Sequence, residues 1–107
     1  MLSKNKMIKM AEGFGLVVFE NKDNRITLRF KACKAGVKLS KDMFTKQTER
    51  LHQIAEKIVN ESGEITSMLN ATVHKMWAFK THSVTVHNDV KHQDHPTLSI
   101  GFFNKTK

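Results

Sequence analysis

The chain has 107 residues, of which 39% are hydrophobic and 26% are charged, and 18 Lys and Arg against 10 Asp and Glu give a net charge of +8. This length predicts a single domain, residues 1–107, with one modest core. The longest apolar run is LVVF, so no segment long enough to span a bilayer is expected, and a membrane partner is excluded from the hypotheses.

The positive charge is concentrated in the first half of the chain. Residues 1–50 carry 12 basic and 5 acidic side chains, whereas residues 51–107 carry 6 and 5. A one-sided positive field attracts polyanions, so nucleic acid or an acidic protein is the predicted class of partner. The alternative is a basic surface that serves solubility alone.

Cysteine usage indicates the compartment. Cys33 is the single cysteine, so no internal disulfide can form and a reducing cytoplasmic location is predicted. The N-terminal stretch is basic and then partly apolar, but Lys9, Glu12 and two glycines interrupt it, which argues against a secretory signal.

The first elements are a short helix and a hairpin. Ser3 is suited to capping a helix whose apolar residues Met7, Met10 and Ala11 follow helical spacing. LVVFE and RITLRFKACKAG then read as two strands around the polar turn at residues 21–24.

The second of these strands carries cations on one face. Its alternation places Ile26, Leu28 and Phe30 on one side, and Arg25, Arg29 and Lys31 on the other. Successive side chains on one face of a strand lie about 7 Å apart, which is close to the phosphate spacing of an extended nucleic-acid strand. The simpler interpretation is the solvated outer face of an antiparallel sheet.

A long helix follows, and the segment after it is ambiguous. Ser40 is expected to cap the helix, Phe44 and Leu51 belong to its apolar stripe, and Gly63 is expected to end it. Residues 64–77, EITSMLNATVHKMW, have apolar residues at spacings of three and four. This spacing favours a helix, although the Thr, Val and Ile content also allows a strand.

The chain ends in a second predicted hairpin. Residues 82–87 and 97–102 alternate, HNDVKHQDH at residues 87–95 contributes the loop, and residues 103–107 form a frayed tail. The expected fold is therefore α+β: a four-stranded antiparallel sheet with two to three helices on one face, in the order α-β-β-α-α-β-β.

The six histidines raise three questions of chemistry. His87, His92 and His95 offer zinc-type ligands, but their spacing matches no known metal motif, so no metal is predicted. A small histidine-dependent enzyme would need His74, His82 and Trp77 to line one pocket. No phosphate loop, nucleophile elbow or CxxC is present, so we assign no catalytic residue and no cofactor.

The sequence therefore favours a small non-enzymatic protein that contacts the nucleic-acid backbone with weak sequence specificity through a cationic sheet face. A protein-interaction module or homodimer without nucleic acid is the second hypothesis, and the histidine enzyme is the third. Cys33 is interpreted as an inert thiol. The candidate nucleic-acid-binding residues are Arg25, Arg29, Lys31, Lys34, Thr85 and His87.

Overall fold

The computed structural model describes residues 3–103, which form two helices and a six-stranded antiparallel sheet. The strands lie in the order β1-β2-β6-β5-β4-β3 across the sheet. Apart from Phe103, the predicted C-terminal tail lies outside the described residues. The elements are α1 (Lys4–Gly13), β1 (Leu16–Lys22), β2 (Arg25–Phe30), α2 (Lys41–Asn60), β3 (Ser67–Asn70), β4 (His74–Ala78), β5 (His82–His87) and β6 (Thr97–Phe102).

Both helices begin at the serines that the sequence predicts. The Ser3 hydroxyl accepts a hydrogen bond from the Lys6 N–H, and the Ser40 hydroxyl accepts one from the Met43 N–H, each at 3.2 Å. These bonds satisfy N–H groups that have no partner inside the helix. Neither helix within residues 3–103 has both the length and the apolar character needed to cross a lipid bilayer.

The prediction of a helix over residues 64–77 is wrong. This segment forms β3 and β4, which pair with each other, and β4 pairs in turn with β5. Trp77 lies opposite Val84 and is buried, so β4 completes the core as a strand. The sheet therefore has six strands instead of four, and the order of elements is α-β-β-α-β-β-β-β.

The predicted second strand extends too far. β2 ends at Phe30, and the Cys33 N–H turns back to donate to the Phe30 carbonyl at 2.9 Å. The Cys33 thiol is buried and contacts the Gln47 side-chain oxygen of α2 at 3.2 Å, which fixes this turn. Lys31 therefore follows the strand and does not continue its cationic row.

The two faces of the sheet differ in what covers them. Alternate residues of the central strands pack with both helices into one core; they include Ile26, Leu28, Val84, Val86, Leu98 and Ile100. We call the opposite side the open face. Its side chains are Arg25, Thr27 and Arg29 of β2, Thr97 and Ser99 of β6, Ser83, Thr85 and His87 of β5, and His74 and Met76 of β4.

Candidate nucleic-acid interface

The six candidate residues fall into two groups. Arg25, Thr85 and His87 line a cleft of about 330 Å³ in the open face. Arg29 lies four residues farther along β2, about 13 Å from Arg25 at the usual rise of a strand. Lys31 and Lys34 lie in the loop that follows β2. The structure thus divides the predicted surface between a cleft and the loop-bearing end of the sheet.

Hydroxyl groups and an aromatic ring line the cleft beside Arg25. Ser83 and Ser99 contribute hydroxyls, and Phe103 forms part of the wall with 49% of its surface exposed. Gly101 keeps the cleft open, because a methyl group at its Cα would meet the Ser83 hydroxyl at 3.2 Å. A guanidinium group and hydroxyls are typical contacts of phosphate oxygens.

Thr85 is less accessible than the sequence predicts, and His87 is not a source of positive charge. Thr85 is buried among its neighbours, and His87 bonds through Nε2 to the Ser99 hydroxyl at 2.9 Å. Burial chiefly, with a smaller contribution from the positive charge of Arg25, lowers the pKa of His87. Its imidazole is therefore neutral at pH 7 and offers hydrogen bonding, not a fixed positive charge.

Arg29 combines a positive charge with an exposed aromatic ring. Its guanidinium lies 4.7 Å above the centre of the Phe19 ring, and its Nη1 lies 3.4 Å from Nε2 of the buried His95. No carboxylate of residues 3–103 forms an ion pair with Arg29. The ion pairs found there join Lys22 to Glu20 and His92 to Asp89.

Phe19 is not among the candidate residues that the sequence indicates. Phe19 is 42% exposed and adjoins an irregularity between Val18 and Glu20, where the register of β1 against β2 shifts. The alternation of LVVFE contains the signal: Leu16 and Val18 pack on the core, so Val17 and Phe19 are expected on the opposite face.

The loop end of the sheet holds more cations than the sequence prediction includes. We use this name for residues 31–40 and 88–96, which are joined where the Gly36 and Leu39 N–H groups donate to Asp94 at 3.1 and 2.9 Å. These bonds occupy Asp94, and Asp89 bonds to His92. The exposed lysines in these loops, or directly after them, are Lys31, Lys34, Lys38, Lys41 and Lys91.

The three residues of the proposed histidine enzyme do not line one pocket. His74 lies opposite His87 on the open face, whereas Trp77 lies opposite Val84 and packs in the core. His82 is buried and stacks on Phe79 with 4.7 Å between the ring centres. Because these side chains diverge, the pocket that this hypothesis requires does not form.

The histidine-rich loop places its imidazoles in different surroundings. His95 is buried beside Arg29, whereas His92 is exposed and bonds through Nδ1 to Asp89 at 2.8 Å. That hydrogen bond lowers the pKa of Asp89. Within residues 3–103, no group of three or more His, Cys, Asp and Glu side chains is placed to hold a metal ion.

A larger cavity, of about 550 Å³, lies between α2, the β3–β4 turn and the loop after β5. Its apolar walls include Phe44, Val73 and Val90, and His52 lies among its polar groups with a pKa lowered chiefly by burial. The Thr48 hydroxyl in its wall donates to the Phe44 carbonyl at 2.9 Å. None of the six candidate residues lines this cavity.

Comparison with known proteins finds no match: no protein family, curated protein or solved structure is significantly similar to the chain.

Proposed function

We propose that the protein binds single-stranded nucleic acid across the open face and the adjoining loop end, mainly through phosphate contacts. One observation carries this proposal: each arginine of the open face has an exposed aromatic ring nearby. Arg29 stacks on Phe19, and Arg25 shares the cleft with Phe103. Single-strand binding proteins combine cations that follow the backbone with aromatic rings on which bases stack.

The spacing of the arginines supports the same proposal. The separation of about 13 Å between Arg25 and Arg29 along β2 corresponds to about two phosphate intervals of an extended strand. Lys31 and Lys34 lie in the loop that directly follows β2 and would extend the contact beyond Arg29. Glu20 lies beside this path and is paired with Lys22 at 3.4 Å, and the Asp94 carboxylate of the loop end accepts from the Gly36 N–H.

An acidic protein is the alternative partner. The exposed lysines of the loop end would suit it, but the aromatic rings near the two arginines favour bases and phosphates. Phosphate contacts carry no direct sequence information, so we expect weak sequence specificity. We place this activity in the cytoplasm, in keeping with the single reduced cysteine.

Charge reversal at Arg25 tests the proposal. Arg25→Glu removes a proposed phosphate contact and adds a repulsive charge, so the affinity for a labelled single-stranded oligonucleotide should fall at least about tenfold at low salt. Fluorescence anisotropy measures the affinity. Arg50→Glu is the matched control, because Arg50 is exposed on α2, on the other side of the sheet, and the net charge changes equally. Equal losses in both variants would contradict a located site.

A further inference from the structure

The two edges of the sheet differ in their protection against pairing with another strand. The β1 edge carries the Glu20–Lys22 ion pair and a register irregularity, and α1 packs against this strand. Charged side chains and bulges are devices that block edge-to-edge association. The β3 edge has neither: Ser67–Asn70 is uncharged, and its four residues are all exposed.

Apolar side chains are concentrated around β3. Met68 is 54% exposed and Leu69 is 45% exposed, and Ile65 and Val73, on either side of the strand, are each 40% exposed. The nine residues from 65 to 73 contain no charged side chain. An exposed, uncharged and partly apolar edge strand is a template for strand addition.

The hydrogen-bond pattern identifies which backbone groups of β3 are available. Ala71 donates to the His74 carbonyl at 2.9 Å in the β3–β4 turn. Along an antiparallel ladder, the backbone groups of successive residues point alternately to one neighbour and to the other. The N–H and C=O groups of Ser67 and Leu69 therefore point toward β4. The N–H and C=O groups of Met68 and Asn70 consequently point away from the sheet.

We infer that two copies of the chain pair antiparallel through β3, with Leu69 on the two-fold axis. Met68 of each copy then exchanges two backbone hydrogen bonds with Asn70 of the other. Leu69 meets its own equivalent as a non-hydrogen-bonded pair, in which side chains lie closest. The same register brings Ile65 of one copy toward Val73 of the other, so each exposed apolar side chain flanking the strand gains an apolar partner.

The net charge of +8 does not oppose this pairing. The cationic strand β2 lies four strands from β3. In the paired sheet the two copies of β2 are therefore nine strand spacings apart, about 40 Å. That separation exceeds several Debye lengths, since one is about 10 Å at 0.1 M salt. A second copy fits this edge because no like charges face each other there.

The oligomeric state of the full chain tests the inference. Light scattering coupled to gel filtration should show a concentration-dependent dimer at about 100 µM. The dimer is expected to be weak, because each copy contributes only the four-residue strand β3 and the residues that flank it. Leu69→Lys places two like charges across the axis and should raise the dissociation constant at least about tenfold. Met43→Lys, which changes a similarly exposed apolar residue on α2, should leave the dimer intact.

Covalent trapping tests the register independently. Cα atoms of a non-hydrogen-bonded pair lie about 4.5 Å apart, within the range that a disulfide spans. Leu69→Cys should therefore form a cross-linked dimer under mild oxidation, whereas the wild type, with only the buried Cys33, should not. A monomeric wild type at about 100 µM, or a dimer that survives Leu69→Lys, would overturn the inference.

Discussion

Arg29 is a positively charged side chain in direct contact with an exposed aromatic ring. Its guanidinium lies over Phe19 and beside the buried His95, without a carboxylate partner among residues 3–103. A half-buried cation without a counter-charge is electrostatically available to an anion from solution. The contacts with Phe19 and His95 also restrain the guanidinium, which lowers the entropy lost when a ligand binds.

Removal of the Phe19 ring should separate base stacking from phosphate contact. Stacking of one base on an aromatic side chain contributes about 1–3 kcal/mol, so Phe19→Ala should weaken binding of a single-stranded oligonucleotide by about 5-fold to 150-fold. Anisotropy titrations with an oligonucleotide and with its abasic counterpart measure the effect. The loss should be much smaller on the abasic strand.

The matched control for this prediction is Met43→Ala, because Met43 is an apolar side chain of similar exposure that lies on α2. It should leave both affinities unchanged. If Phe19→Ala weakens binding to the abasic strand as much as to the normal one, the ring positions Arg29 but does not stack on a base.

His82 links stability to pH. It is buried against Phe79, its Nε2 has no hydrogen-bond partner, and burial lowers its pKa below the usual 6.5. The unfolded chain therefore takes up a proton at higher pH than the folded chain does. The free energy of unfolding should consequently fall as pH drops below about 6.5, and the contribution of His82 is fully present above that pH.

Chemical denaturation at pH 7 and pH 5 measures this dependence. His82→Phe should lose less stability on acidification than the wild type, because a phenyl ring keeps the stacking on Phe79 and cannot be protonated. An unchanged pH dependence in His82→Phe would show that other groups control acid stability.

Sequence periodicity predicts some elements well and others poorly. The hairpin of β1 and β2, the long helix α2, and the strands at residues 82–87 and 97–102 follow from alternation, helical spacing and capping. The strands within residues 64–77 cannot be predicted in this way, because the apolar spacing of the segment fits a helix. Its strands form because β3 pairs with β4 and β4 pairs with β5. Long-range pairing of this kind leaves little trace in local spacing.

The Ser40 cap is expected to stabilise α2. Ser40→Ala removes the hydroxyl that accepts from the Met43 N–H and should destabilise the protein by about 1 kcal/mol. The melting temperature should fall by about 4–8 °C. Ser67→Ala, in the exposed strand β3, is the matched control and should change it far less. Equal melting temperatures for the two variants would exclude a stabilising cap.

The whole molecule distributes its charge less simply than its sequence indicates. The alternation of β2 correctly groups Arg25 and Arg29 on one face. The strand ends at Phe30, however, so Lys31 and Lys34 belong to the loop end with the later Lys38, Lys41 and Lys91. This grouping depends on the contact between residues 36–39 and Asp94. Residues so far apart in sequence share a surface only after folding.

The salt dependence of oligonucleotide binding tests the central claim most directly. Each phosphate contact on a single strand contributes about −0.7 to the slope of log affinity against log salt concentration. Contacts from Arg25, Arg29, Lys31 and Lys34 therefore predict a slope of about −3 for a labelled single-stranded oligonucleotide. A slope near zero, or no binding at low salt, would contradict the assignment of the open face and loop end to nucleic acid.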